Sequence, residues 1–230
     1  MLAQRRPATV RDAVLDAAEA LFAEHGYASV SVRDIARAAG AHAGSITYHF
    51  GSKAELLRTI YRRHCGPMNT RRLELLGEAR RLADPVERLQ AILRAYALPA
   101  FSNLRDDAGG GARFTRLRAV MSAEGNDVAR EIIAEAFDAT SHAFIDALDE
   151  TLPHLERSRI VWRSQFLLGA LYYTLVNPER VTRLSRGAAD GGDMARALEE
   201  LVASTLWGLA GPAEGGLTGG APAAAVRLSG

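Results

Sequence analysis

Residues 31–53, SVRDIARAAGAHAGSITYHFGSK, leave few folds open, because helix start and stop signals recur in them faster than a single helix needs. Ser31 is a favoured N-cap, and Asp34, three residues on, can reach back to its N–H, so a capping box opens a helix there. Val32, Ile35, Ala36 and Ala39 follow at helical spacing. Gly40 ends the run, since glycine tolerates the left-handed conformation of a helix C-terminus. A second helix has to begin within a few residues, for Ile46 and Phe50 lie one turn apart and can pack back on Val32, Ile35 and Ala39. So short a connection suits a helix-turn-helix. Ser52 with Glu55 reads as another capping box, opening a helix that carries Leu56, Leu57, Ile60 and Tyr61.

Upstream, Val10, Val14, Ala17, Ala18, Leu21 and Phe22 form one apolar stripe, so Thr9 to His25 reads as an amphipathic helix stopped by Gly26. Three helices thus share a core. With Ile46 as the inward reference at about 100° per residue, Gly44 and Tyr48 point outward, Ser45 and Thr47 flank them, and His42, Ala43 and His49 lie nearer the buried side. An exposed short helix of this kind can enter a DNA major groove, with Ser45, Thr47 and Tyr48 as contacts and His49 reaching from the helix end. Lys53 sits in the first turn of the next helix, where a cation opposes the helix dipole. A phosphate partner explains it better than helix stability does. Taken singly, the same residues also suit an ordinary all-helical core, with Tyr48 a partly buried aromatic and His49 a surface imidazole; the third helix and the two boxes in register are what favour DNA.

The whole pattern, a helix followed by GYASVSVRDIARAAG and GSITYHFGSKAELL, resembles the DNA-binding domain of the tetracycline-repressor (TetR) family of bacterial transcriptional regulators over Val10 to Leu57. The resemblance implies that Ser45, Thr47, Tyr48 and His49 touch bases or phosphates, that Lys53 grips the backbone and that Arg33 assists from the preceding helix. Ala43 and Gly44 depart from a strong base reader, having no polar side chain. Readout then leans on Arg33, Ser45, Thr47 and DNA shape.

Beyond the head the chain is long enough for a second helical unit, and an all-α fold in two parts is expected: 1–65 as the DNA-binding domain with its connecting helix, 66–211 as an effector-binding and dimerisation domain, and 212–230 as a disordered tail rich in Gly and Ala. Gly66-Pro67 should interrupt the helix begun at Ser52. Asp84 caps a helix with Pro85 at its first position, RDDAGGGA at 105–112 reads as a flexible loop, and helices resume around Phe114 and Ile132. Two late helices, about 155–176 and 193–209, carry more apolar surface than one domain covers. In the family such helices pair with their copies as a four-helix bundle, which implies a homodimer on a double-stranded operator.

A net charge of +1 argues against indiscriminate polyanion binding, although Arg5, Arg6 and Arg11 could form a basic arm. One cysteine, Cys65, excludes an internal disulfide and suits a reducing cytoplasm; no stretch is long and apolar enough for a membrane span. The six histidines lack metal-ligand spacing, and neither a GxSxG elbow nor a strand-linked Gly-rich loop is present, so no enzyme, catalytic residue, metal or cofactor is expected. A small hydrophobic effector would lie among Leu93, Tyr96, Phe101, Phe114, Leu117, Met121, Phe137 and Phe144, with Arg116, Arg118 or Arg163 available for an acidic head group. GSKAELL before a Gly-Pro break loosely resembles fatty-acid-responsive members. The competing reading is a DNA-binding architectural protein with no effector.

Overall fold

Thr9 and Ser31 each accept from the backbone N–H three residues on, and Asp12 and Asp34 return the bond, so both of the first helices open on complete capping boxes. The computed structural model describes residues 9–102 and 111–210, and these form ten helices with no strand among them. Helices α1 (Val10–His25), α2 (Val32–Ala39) and α3 (Ala43–Phe50) make the N-terminal head, and α4 (Lys53–Ala79) runs out of it. Then come α5 (Pro85–Ser102), α6 (Gly111–Glu124), α7 (Asp127–Thr151), α8 (Arg157–Val176), α9 (Pro178–Leu184) and α10 (Met194–Ala210). Asp84 caps α5 through bonds from the N–H groups of Val86 and Glu87, and Asn126 caps α7 likewise.

Helix α4 corrects the expected break. It passes through Gly66 and Pro67 without interruption, although proline removes one ladder bond and typically costs about 3 kcal/mol in a helix interior. Burial outweighs that cost: Leu56, Leu57, Ile60, Tyr61, His64, Cys65, Met68, Arg72, Leu76 and Ala79 are all buried along its length. The division expected between residues 65 and 66 therefore falls inside one continuous rod. Ser52 does cap α4, but Glu55 turns away from the box and pairs with Arg62 at 2.7 Å.

Two apolar cores result. The first joins α1–α4 to α6 and the start of α7, with Val14, Phe22, Ile35, Ile46 and Leu57 packed against Phe114, Leu117, Met121 and Ile132. The second lies among the end of α4, α5, the end of α7, α8 and α10. Since α4 and α7 contribute to both, the head is not an independent bead on a linker. Helix α9, which the sequence did not announce, buries no residue of its own. Of the expected loop, 105–110 lies outside the described residues and Gly111 and Ala112 already belong to α6; the tail at 212–230 and the arm residues Arg5 and Arg6 also lie outside them. Arg11 is part of α1, its guanidinium 5.3 Å from the Phe50 ring centre.

Candidate nucleic-acid interface

Helix α3 is anchored by two residues only, Ile46 and Phe50, which are 1% and 5% exposed. The rest of its surface is left outward. Tyr48 is 85% exposed, Thr47 and His49 are exposed and Ser45 is half-buried, so all four predicted contacts share one helix and none is consumed by the core. His49 and His42 lie further out than the helical wheel implied, because an eight-residue helix held by one inward edge presents its flanks as well. Tyr48 and His49 meet edge to face at 5.1 Å. No side chain caps α3 at its N-terminus, where His42 stands, and the helix contains no acidic residue. Arg33 is exposed on α2, while Arg37 beside it is paired with Asp34.

Lys53 behaves differently from the expectation. Its ammonium donates to the carbonyls of Tyr27 and Val30, both at 2.9 Å, and lies 4.1 Å from the Tyr27 ring centre. Burial holds its pKa below the ordinary lysine value, with the Glu124 charge opposing. The cation thus compensates two carbonyls of the α1–α2 loop, which explains its place without a phosphate. On the other side of the same loop, the Glu124 carboxylate accepts from Tyr27 N at 2.8 Å and Ala28 N at 2.6 Å. A residue at the end of α6 and one at the start of α4 therefore clamp the turn that orients α2 and α3. Sequence reasoning missed Glu124 because nothing local links it to a loop nearly a hundred residues upstream. A buried His64–Glu19 pair at 2.8 Å, with the imidazole stacked on Phe114, ties α4 to α1 in the same region.

The eight residues proposed for a pocket separate. Phe114, Leu117, Met121 and Phe137 belong to the first core, where they bind α6 and α7 to the head; Phe101 is buried in the second. Leu93, Tyr96 and Phe144 do line a cavity of about 120 Å³, together with Ile92, Leu148 and Leu168, between α5, α7 and α8. Of the three arginines considered, Arg116 is exposed, Arg163 donates to the Leu209 carbonyl at 3.2 Å, and Arg118 is buried. No group of three or more potential metal-ligating side chains occurs among the described residues.

Comparison with known proteins agrees with this layout. Residues 14–60 match the family model described as bacterial regulatory proteins, tetR family, and residues 94–206 match a tetracyclin repressor-like C-terminal domain. An HTH-type transcriptional regulator of Mycobacterium tuberculosis is 30% identical over 174 residues, covering 75% of this chain and 79% of the relative. The chain belongs to the TetR family. The transcriptional repressor KstR2 of Mycobacterium tuberculosis is 36% identical over 85 residues, 37% of this chain and 41% of that one. Among solved structures, the TetR regulator PfmR of Thermus thermophilus superposes with a TM-score of 0.55 at 22% identity, covering 91% of this chain and all of PfmR. FadR of Bacillus subtilis, solved with stearoyl-CoA, gives 0.51 at 20% identity, covering 87% and 98%. This TetR chain is accordingly a DNA-binding transcriptional regulator, and its relatives are regulators rather than enzymes.

One further surface of this TetR chain stands out. Trp162, Phe166 and Tyr173 on α8 are 66%, 65% and 56% exposed, and Trp207 on α10 is 80% exposed. Gly169 and Ala170 continue the same α8 face between them, and Ala203 and Gly208 lie beside Trp207. No described helix is long and apolar enough to cross a membrane.

Proposed function

We propose that this TetR protein is a homodimeric repressor whose two heads bind a palindromic operator and are released when a small apolar molecule occupies the C-terminal half. The observation that carries the dimer is the aromatic face of α8 and α10: four large side chains more than half exposed on adjacent helices form a patch of the kind that a monomer leaves open only for a partner. A second copy fits, because a two-fold axis would lay the same two helices against themselves. The heads would then read half-sites about one helical turn, ~34–36 Å, apart. Ser45 and Thr47 approach base edges, Tyr48 and His49 approach phosphates or sugar, and Arg33 contributes from α2.

The effector reading rests on the cavity beside Tyr96. At about 120 Å³ it is close to the ~150 Å³ that accepts a benzene ring in an engineered apolar core, so a compact molecule suits it and a long acyl chain does not without expansion. Two measurements test the proposal. Selection of bound genomic fragments followed by salt-dependent titration should yield a palindrome, and Thr47→Ala or Ser45→Ala should shift preference at particular base pairs by about 1–3 kcal/mol, whereas Tyr48→Phe weakens binding to all sequences alike. A thermal-shift screen that finds no small ligand would leave an architectural DNA-binding protein as the better description.

A further inference from the structure

Arg72 on α4 and Arg118 on α6 are 0% and 6% exposed, and neither meets a carboxylate among the described residues. Arg72 donates through Nε to the Tyr96 carbonyl at 2.9 Å, but its Nη1 and Nη2 are buried with no acceptor. Among the described residues Arg118 approaches the Met68 sulfur, at 4.0 Å, and lies against the rings of Phe137 and Tyr172 at 3.9 and 4.6 Å. The Tyr61 hydroxyl, about three turns earlier on α4, is also buried and without a partner. A buried lysine in such a place could shed its proton, but a guanidinium does not at neutral pH. Even with burial and the neighbouring Arg72 pushing it down to about 10, Arg118 stays charged. Aromatic faces compensate such a cation only in part.

We propose that Arg72 and Arg118 receive the acidic head of the effector, a carboxylate on a compact apolar body. This rests on the effector reading above and names the chemistry of that ligand. A carboxylate supplies the acceptors that the Arg72 fork lacks, and guanidinium forks bind carboxylates through paired bonds. The apolar body has its place next door. Tyr96 carries the Arg72 guanidinium 4.3 Å from its ring centre and also lines the 120 Å³ cavity. The positions of the two arginines add a consequence. Arg72 lies on the helix whose first turn holds Lys53, and Arg118 on the helix that ends at Glu124. An anion shared by the two side chains acts on both helices that grip the loop at Tyr27 to Val30.

The test uses the full chain and four small probes with inorganic phosphate as a fifth. Benzoate and hexanoate should raise Tm by about 5–10 °C at concentrations about a hundredfold above Kd; benzyl alcohol, hexan-1-ol and phosphate should not. Without ligand, Arg72→Met and Arg118→Met should melt above the parent, because each removes an unpaired buried charge, and each should lose the carboxylate shift. A structural arginine would give the opposite change in the unliganded protein. The acid-against-alcohol comparison on the unaltered chain decides the matter even where a variant does not fold. Alcohols matching the acids would overturn the head-group site and leave an apolar effector standing; phosphate alone, neither acid, or variants that keep the shift would overturn it outright. Carboxylate binding with unchanged operator affinity would keep the site and overturn release, for which a 5- to 150-fold loss is the typical coupling range.

Discussion

Lys53 donates to two carbonyls of the α1–α2 loop, and that placement decides what its removal should do. Lys53→Met keeps the apolar stem beside Tyr27 but orphans both acceptors. A loss of about 1–3 kcal/mol in a denaturant titration is expected, with the salt slope of DNA binding changed by less than one phosphate contact. A full unit lost from that slope at unchanged stability would return Lys53 to the DNA backbone. Glu124→Gln should cost about 1 kcal/mol, since an amide oxygen can serve Tyr27 or Ala28 well but its NH₂ cannot accept from the other. Cys65 gives a pH signature of its own. Burial pushes its thiol up to about 12 from an ordinary 9.0, so the folded state keeps a proton that the unfolded state releases. Its stability contribution is complete below pH 9 and is lost as pH rises toward 12, at a limiting slope of about 1.4 kcal/mol per pH unit. Cys65→Ala should therefore flatten the alkaline decline of Tm, and the native thiol should resist a disulfide reagent at pH 8 until the protein unfolds.

Elements differed in how far their sequence announced them. Helix α1 was legible from its apolar stripe and the Gly26 stop, α2 from the Ser31–Asp34 box, its stripe and Gly40, α5 from the Asp84 cap with Pro85 at its first position, and α3 because Ile46 and Phe50 leave it one possible inward edge. What decided α4 was not local. Proline argues for a stop at Gly66-Pro67, while the buried face from Leu56 to Ala79 draws on α1, α5, α6 and α7, which are distant in sequence. Phe114, Leu117 and Met121 read as pocket residues in sequence for the same reason, since an apolar face does not say whether a cavity or the head lies opposite it. The Glu124 clamp and the pair Arg72 and Arg118 follow from tertiary approach alone. If packing holds α4 straight against its proline, Pro67→Ala should stabilise the protein by about 1–3 kcal/mol without moving a neighbour, as a thermal melt can measure. A lower melting point would mean that the proline fits a bend the fold requires.

At the scale of the molecule, α8 and α10 close the second core with one side and leave Trp162, Phe166, Tyr173 and Trp207 on the other. Light scattering should give the mass of two chains. Phe166→Glu with Trp207→Glu should give one, with binding to a full palindrome falling much more than binding to a half-site, since each head stays intact but loses its tether. Persistence of the dimer in that variant would relocate the interface. The same face has an optical consequence. The chain has two tryptophans, and both project from it. Indole emission shifts to the blue as water is excluded, so unlabelled protein carries its own gauge of this surface: its colour should follow dilution through the association equilibrium and stay still during any event confined to the head.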